Sequence, residues 1–372
     1  MLPLQDSPCS SGGVDRVLNL SNNFLLKCLT SSDTQIYKII KKHFYSTINY
    51  NSKKNSILTK SIYNVIPYEY LIYKSDIPYI YNFDLDVILS SIEVDLDFGY
   101  KVKISKNPND LIKEKIYEND AISIYTDGSK DPKSKSVGTA CFSGDLNISK
   151  CNSLSPLASI YTAESIAIND ALSIAIENKH KNINVFTDSL SVIQSLRFPH
   201  INTKINPYIL KIKQKIKLFY ENNNSTKIKF FWIPSHIGIE GNEEADRLAK
   251  LSTLNEPSNL SIPFTDITNI FRKYSNNLTN QSLMHDSQTK GKQYFQYFYK
   301  QSTKPWFHKY KLKRDLIVTT NRCRSDHYNL NASLFKIKVI NQPNCECGHE
   351  LQDLDHILWQ CPLFDAQRDE LL

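Results

Sequence analysis

The chain has 372 residues, enough for two or three domains of ordinary size, each able to bury a core. Lys and Arg number 45 against 38 Asp and Glu, a net charge of +7 that suits a polyanionic partner and excludes an acidic solvating tail. With 41% hydrophobic and 11% aromatic residues and only 10 Gly and 15 Pro, collagen-like and Gly/Pro-rich disordered chains are excluded too. The 8 cysteines are scattered except near the end, which argues for reduced thiols inside a cell, in nucleus or cytoplasm. No apolar run approaches the roughly 18 residues of a membrane span, and MLPLQDSPCSSGG lacks the pattern of a secretory signal. The expectation is a protein that is not secreted and has no membrane partner; the oligomeric state is not legible.

Residues 1–118 are rich in Asn, Ile, Lys, Ser and Tyr, with weak helical periodicity around LLKCLTSSDTQIYKIIKKHF and a polar break at NYNSKKNS. They predict an irregular to helical N-terminal region that displays no chemistry. From 119 the pattern sharpens. AISIYTDGS, VGTACFSG and LNISKCNSL read as three strands, the last two joined by a turn at SGD. SIYTAESIAINDALSIAIENK spaces Ile160, Ala163, Ala167, Ala171 and Ile174 by three and four, an amphipathic helix. INVFTDS is a fourth strand followed by a short helix, SLSVIQSL. INPYILKIKQKIKLFYENN is another helix, KIKFFWIPS a fifth strand, and GNEEADRLAK a closing helix with Asn242 as its expected N-cap. Strands first, then strand and helix in alternation, predict an α/β fold with a mixed sheet flanked by helices.

Four acidic residues stand at positions this pattern places. Asp127 ends the first strand and Asp188 the fourth, while Glu164 and Asp246 lie early on two helices. If the two strands pair in parallel, both aspartates emerge at the carboxyl edge of the sheet, where open α/β sheets bind ligands. Four converging carboxylates repel one another unless a cation neutralises them, and hard oxygen donors suit Mg²⁺ or Mn²⁺. A pair of such ions about 3.5 to 4 Å apart can drive phosphodiester hydrolysis. Each residue alone also has an ordinary explanation, as turn, cap or dipole complement.

YTDGS at 125–129, YTAES at 161–165, FTDSLSV at 186–192 and WIPSHIGIEGNEEADRLAK at 232–250 resemble the four signature segments of type 1 ribonuclease H domains, in order, over 119–253. The resemblance implies a five-stranded mixed sheet flanked by helices and a Mg²⁺-dependent endonuclease. Its substrate would be the RNA strand of RNA/DNA hybrids, cut to leave 5′-phosphate and 3′-hydroxyl ends. It also implies that Asp127, Glu164, Asp188 and Asp246 are metal ligands and that His236 assists turnover. Transposases and integrases bring their carboxylates in the order Asp, Asp, Glu, whereas here Glu precedes the second Asp. The chain holds no Tyr-x-Asp-Asp polymerase signature.

Two basic stretches bear on the substrate. Lys211, Lys213, Lys215 and Lys217 flank an apolar helical stripe and fit either phosphate contact or a solvated face. GKQYFQYFYKQSTKPWFHKYKLKR interleaves aromatic and basic residues, which fits either stacking on bases or the buried side of a helix.

Near the end, Cys345, Cys347, His356 and Cys361 form C-x-C, eight residues, H-x4-C. Three thiolates and an imidazole suit a tetrahedral structural Zn²⁺ site, with His349 a competing ligand and buried free cysteines the alternative. The order of a ribonuclease H domain, a helical stretch and CECGHELQDLDHILWQCPLFDAQRDELL resembles the carboxyl-terminal part of jockey-like non-LTR retrotransposon polyproteins. The expected organisation is 1–118 N-terminal region, 119–253 nuclease, 254–339 helical linker and 340–372 zinc segment. A catalytically decayed nucleic-acid-binding remnant of such an element is the alternative to an active enzyme.

Overall fold

The structure, a computed structural model, describes residues 12–47, 56–75, 79–119, 121–133, 136–178, 182–199, 204–222, 227–300, 302, 304–325 and 327–370. The chain start, Cys9, most of NYNSKKNS and the HINT stretch at 200–203 lie outside these. Two compact units are present, one over 13–275 and one over 276–372.

The first unit opens with α1 (Gly12–Cys28), α2 (Gln35–Thr47), α3 (Ile57–Val65) and α4 (Leu85–Leu89), then β1 (Val94–Asp95), α5 (Asp97–Ile104) and α6 (Pro108–Asn119). The predicted elements follow as β2 (Ile122–Lys130), β3 (Val137–Ser143), β4 (Ile148–Leu154), α7 (Ile160–Glu177), β5 (Asn182–Thr187), α8 (Leu190–Arg197), α9 (Pro207–Asn222), β6 (Lys227–Trp232) and α10 (Glu240–Ser252). α11 (Phe264–Asp286) begins in this unit. The sheet is mixed, in the order β1-β6-β5-β2-β3-β4. β2, β3 and β4 pair antiparallel, whereas β2 with β5, β5 with β6, and β6 with β1 pair parallel.

Five of these strands are those read from the sequence; the sixth, β1, comes from the N-terminal region and caps the edge that β6 would leave open. The turn expected at SGD spans the four residues between Ser143 and Ile148 and closes on Asn147 at φ 51°, a conformation Asn tolerates.

Strand alternation separates two apolar layers. Ile124, Val185 and Phe230 face α7, α8 and α9, meeting Ile168, Leu172, Ile193 and Ile209. Their neighbours Tyr125, Phe186 and Phe231 face the other way, stacked ring on ring at centroid separations of 5.1 and 5.2 Å. That second face is covered by α10 and, beyond the predicted elements, by Phe98, Val102 and Ile112 of α5 and α6. Burying each large apolar side chain there stabilises the fold by about 1.5–3 kcal/mol. The region 79–118 is therefore part of this unit's core. α1 to α3 form a further layer, in which Leu25, Leu26, Ile62 and Val65 meet Ile267 and Phe271 of α11.

The α9 lysines are engaged inside this unit. Lys213 is only 1% exposed, and its ammonium donates to the Ser90 carbonyl at 2.5 Å and the Phe198 carbonyl at 3.0 Å. Lys215 donates to Asn169 O and Ser173 Oγ, Lys211 lies over the Tyr73 and Tyr208 rings, and Lys217 pairs with Asp84. Of the two readings open in the sequence, neither phosphate contact nor a free solvated face describes them; they rivet α9 to its neighbours.

The second unit holds α12 (Lys292–Tyr297), α13 (Arg314–Arg324), α14 (Asn331–Lys336), α15 (Leu354–Trp359) and α16 (Asp365–Asp369), with the boundary between units falling inside α11. Among the described residues no helix is long and apolar enough to cross a membrane.

Candidate active site

Parallel pairing of β2 and β5 sets Thr126 opposite Thr187 and stops there, so Asp127 and Asp188 stand side by side just past it. Asp127 does not end its strand as expected, because β2 runs on to Lys130 paired with β3. α7 brings the third carboxylate. Its N-cap Ser159 accepts the Thr162 N–H at 3.2 Å, and Ser159 is in turn held by Asp266, whose two oxygens accept its N–H and hydroxyl, each at 2.9 Å. One turn on, Glu164 meets the aspartates: oxygens of Asp127, Glu164 and Asp188 lie within 4.8 Å of one another. Asp127 and Glu164 are buried, and one carboxylate oxygen of Glu164, Oε2, has no hydrogen-bond partner.

Asp246 stands beside this trio rather than in it. Its carboxylate groups with His236 and Glu243, again within 4.8 Å, and accepts from the Lys250 ammonium at 2.6 Å. Its charge is still felt across the site. Burial, then the charges of Asp188 and Asp246, push the Asp127 carboxyl up to about 7. Glu164 is raised by burial and by Asp127 and Asp188; Asp188 is raised by burial against the opposing pull of Asn242 and His236. Two buried acids and a half-buried third that resist ionising together, one with an orphaned oxygen, fit hard divalent cations such as Mg²⁺.

His236 is exposed in the loop between β6 and α10, at φ 55°. That loop is braced from outside the predicted domain. The Asn109 carboxamide, on α6, donates to Gly238 O at 2.8 Å and accepts the Glu240 N–H at 3.0 Å. Glu240 begins α10 after Ile239, which has no capping oxygen, so Asn109 caps an orphan donor from another helix. Asn242, expected as this helix's N-cap, instead lies inside the first turn, buried beside Asp188. The helix starts earlier because Asn109 supplies the cap. Trp232 adds a further brace, its indole N–H donating to Asp188 O at 3.1 Å.

Residues 119–253 match the family model RNase H. This segment is an RNase H domain. No curated protein matches the chain significantly. The RNase H match supports ribonuclease activity on RNA/DNA hybrids in general and binding of such a hybrid. Asn109 and Asp266, which hold the histidine loop and the Glu164 helix, lie on either side of the matched segment. Their roles carry no sequence signal, because each bonds to a residue more than 100 positions away.

In the second unit Cys345, Cys347, His356 and Cys361 converge, with their ligand atoms within 4.8 Å of one another. Cys345 and Cys361 sulfurs are 3.7 Å apart, close to the about 3.8 Å edge of a tetrahedron with 2.3 Å Zn–S bonds. Cys347 Sγ lies 3.2 Å from His356 Nε2. Asp353 caps α15 through the His356 N–H at 2.8 Å and so fixes the imidazole's helix. His349, the competing ligand, stacks on the His356 ring at 4.2 Å instead of joining the four. Burial pushes the Cys345 thiol up, but hydrogen bonds from Cys347, His356 and Cys361 outweigh it and bring it to about 6. Burial raises the Cys361 thiol. Three soft sulfur donors and an imidazole in this number and spacing fit zinc.

Proposed function

We propose that this protein is a type 1 ribonuclease H, an endonuclease hydrolysing the RNA strand of RNA/DNA hybrids, with Asp127, Glu164, Asp188 and Asp246 holding a pair of Mg²⁺ or Mn²⁺ ions. The observation that carries the reading is the Asp127–Glu164–Asp188 cluster with the partnerless Glu164 oxygen. Held by these carboxylates, such ions would supply activation of a water and stabilisation of the phosphodiester's leaving oxygen. The chain's own part is orientation and proton handling. Asn242 and the Trp232–Asp188 bond hold Asp188, and the Asp266–Ser159 cap holds the helix of Glu164. The exposure of His236 and its grouping with Asp246 support a part for it in turnover.

The RNase H domain with a later Cys/His cluster supports descent from a non-LTR retrotransposon, acting inside the cell where thiols stay reduced. In that organisation 119–253 is the nuclease, 254–339 a helical connection whose start, through Phe264, Ile267 and Phe271, packs in the first unit, and 340–372 a zinc segment, with Zn²⁺ on Cys345, Cys347, His356 and Cys361. The test is a labelled hybrid incubated with purified chain in Mg²⁺ or in chelator. Shortened RNA is expected only with the metal; an intact RNA strand under Mg²⁺ and Mn²⁺ alike overturns the reading in favour of a binding remnant.

A further inference from the structure

The chain's positive charge is concentrated in one place. Residues 287–330 contain ten Lys and Arg against two Asp, so this stretch alone carries +8 while the whole chain carries +7. Within it, Lys300, Lys304, Lys309, Lys311, Lys313 and Arg314 are exposed, have no carboxylate partner among the described residues, and are interrupted by no acidic residue. The lysines of α9, by contrast, are spent on internal contacts.

The aromatic residues of the same stretch explain how the cations stay outside. The Arg324 guanidinium lies over the rings of Tyr294, Phe298 and Trp306 at 5.8, 5.0 and 5.2 Å and donates to Phe298 O at 3.1 Å. Trp306 donates its indole N–H to Asn321 at 2.8 Å. One arginine thus gathers α12, the Trp306 turn and α13 around itself. Those rings serve the scaffold rather than bases, and the lysines project into solvent. Tyr310, between Lys309 and Lys311, is 63% exposed. A surface of many unpaired ammonium groups with a single open ring among them is suited to phosphates rather than to reading base edges.

We propose that the surface around residues 300–314 binds the phosphate backbone of the RNA/DNA hybrid and supplies most of the chain's electrostatic affinity for it. The inference deepens the nuclease reading and rests on it for the identity of the ligand.

The test uses the full chain in chelator, so that nothing is cut, and a fluorescent hybrid whose affinity is followed from about 50 to 200 mM salt. The variant combines Lys309→Gln, Lys311→Gln and Lys313→Gln; a control combines Lys101→Gln, Lys103→Gln and Lys106→Gln, equally exposed in the first unit. The first triple is expected to flatten the log–log salt slope by about 2–3 and to weaken binding about tenfold or more, the control to change neither. With Mg²⁺, the same triple raises KM and leaves kcat unchanged. An unaltered slope, an equal loss in the control, or a triple that loses anionic vesicles while keeping the hybrid overturns the proposal. Wild-type chain that binds hybrid salt-dependently yet never cuts it sinks the nuclease reading alone; normal cutting with an unaltered slope sinks this one alone.

Discussion

A Cβ placed on Gly128 would sit 2.8 Å from the Glu164 backbone nitrogen and 3.1 Å from its Cγ. The absent side chain is what lets α7 press against β2 closely enough for Glu164 to reach Asp127. Gly128→Ala therefore forces helix and strand apart, at about 1–3 kcal/mol in stability. Cleavage is expected to fall further than stability does, by about 100-fold, because a displacement near 1 Å at a catalytic group has that effect. Thermal melts and initial rates measured on the same variant distinguish the two losses.

Asn109 joins α6 to the His236 loop through two hydrogen bonds, so Asn109→Ala leaves the Glu240 N–H and the Gly238 carbonyl without their partner. Because both groups are exposed and water can replace Asn109, a loss of only about 0.5–1.5 kcal/mol is expected. Multiple-turnover rate is expected to drop several-fold while a single-turnover burst survives, since the loop's proposed part is turnover. A drop of equal size in both phases would assign the residue a purely structural role.

The acidic site makes metal-free stability depend on pH in a defined direction. Asp127 sits at about 7 when folded against an ordinary value of 3.8, and Glu164 is also raised. Between these limits the folded state holds protons that the unfolded state has released, so stability falls as pH rises from about 5 to 7.5. Glu69 does not confuse this window: Lys41, Lys74 and Tyr37 outweigh its burial and hold it near 2, and its contribution is lost only in more acid solution. Melting in chelator should show the downward trend; Asp127→Asn should flatten it, and Mg²⁺ should raise stability most at the alkaline end.

For the second unit, metal analysis of reduced chain is expected to find a single zinc per molecule, absent after Cys361→Ser. Because a structural zinc site contributes about 10–16 kcal/mol of apparent binding energy, that variant should lose the cooperative melting of 276–372 while the RNase H domain still melts.

Much of this was legible because it is local. Asp188 follows from a strand end, Asp127 from its place beside it although β2 runs on to Lys130, Glu164 from a helical stripe, and the Cys/His quartet from spacing. The spacing brings Asp246 towards the same edge, but its pairing with Lys250 and its grouping with His236 and Glu243, apart from the other three carboxylates, depend on how α10 is rotated. Asn242 falls inside α10 rather than at its cap because the Glu240 N–H at the start of the helix is satisfied by Asn109, more than 100 residues away. Likewise the α9 lysines face carbonyls and rings contributed by residues such as Ser90 and Tyr73, and only tertiary packing reveals that.

The most direct measurement is cleavage of a hybrid whose RNA and DNA strands carry different labels, by wild type and by Asp188→Asn, at equal folded concentration in Mg²⁺. The carboxylate site predicts that wild type shortens only the RNA, leaving 5′-phosphate ends, and that the variant loses at least about 1,000-fold in rate, on the scale of removing a principal electrostatic group. Undiminished cutting by Asp188→Asn, or equal cutting of both strands, would contradict it.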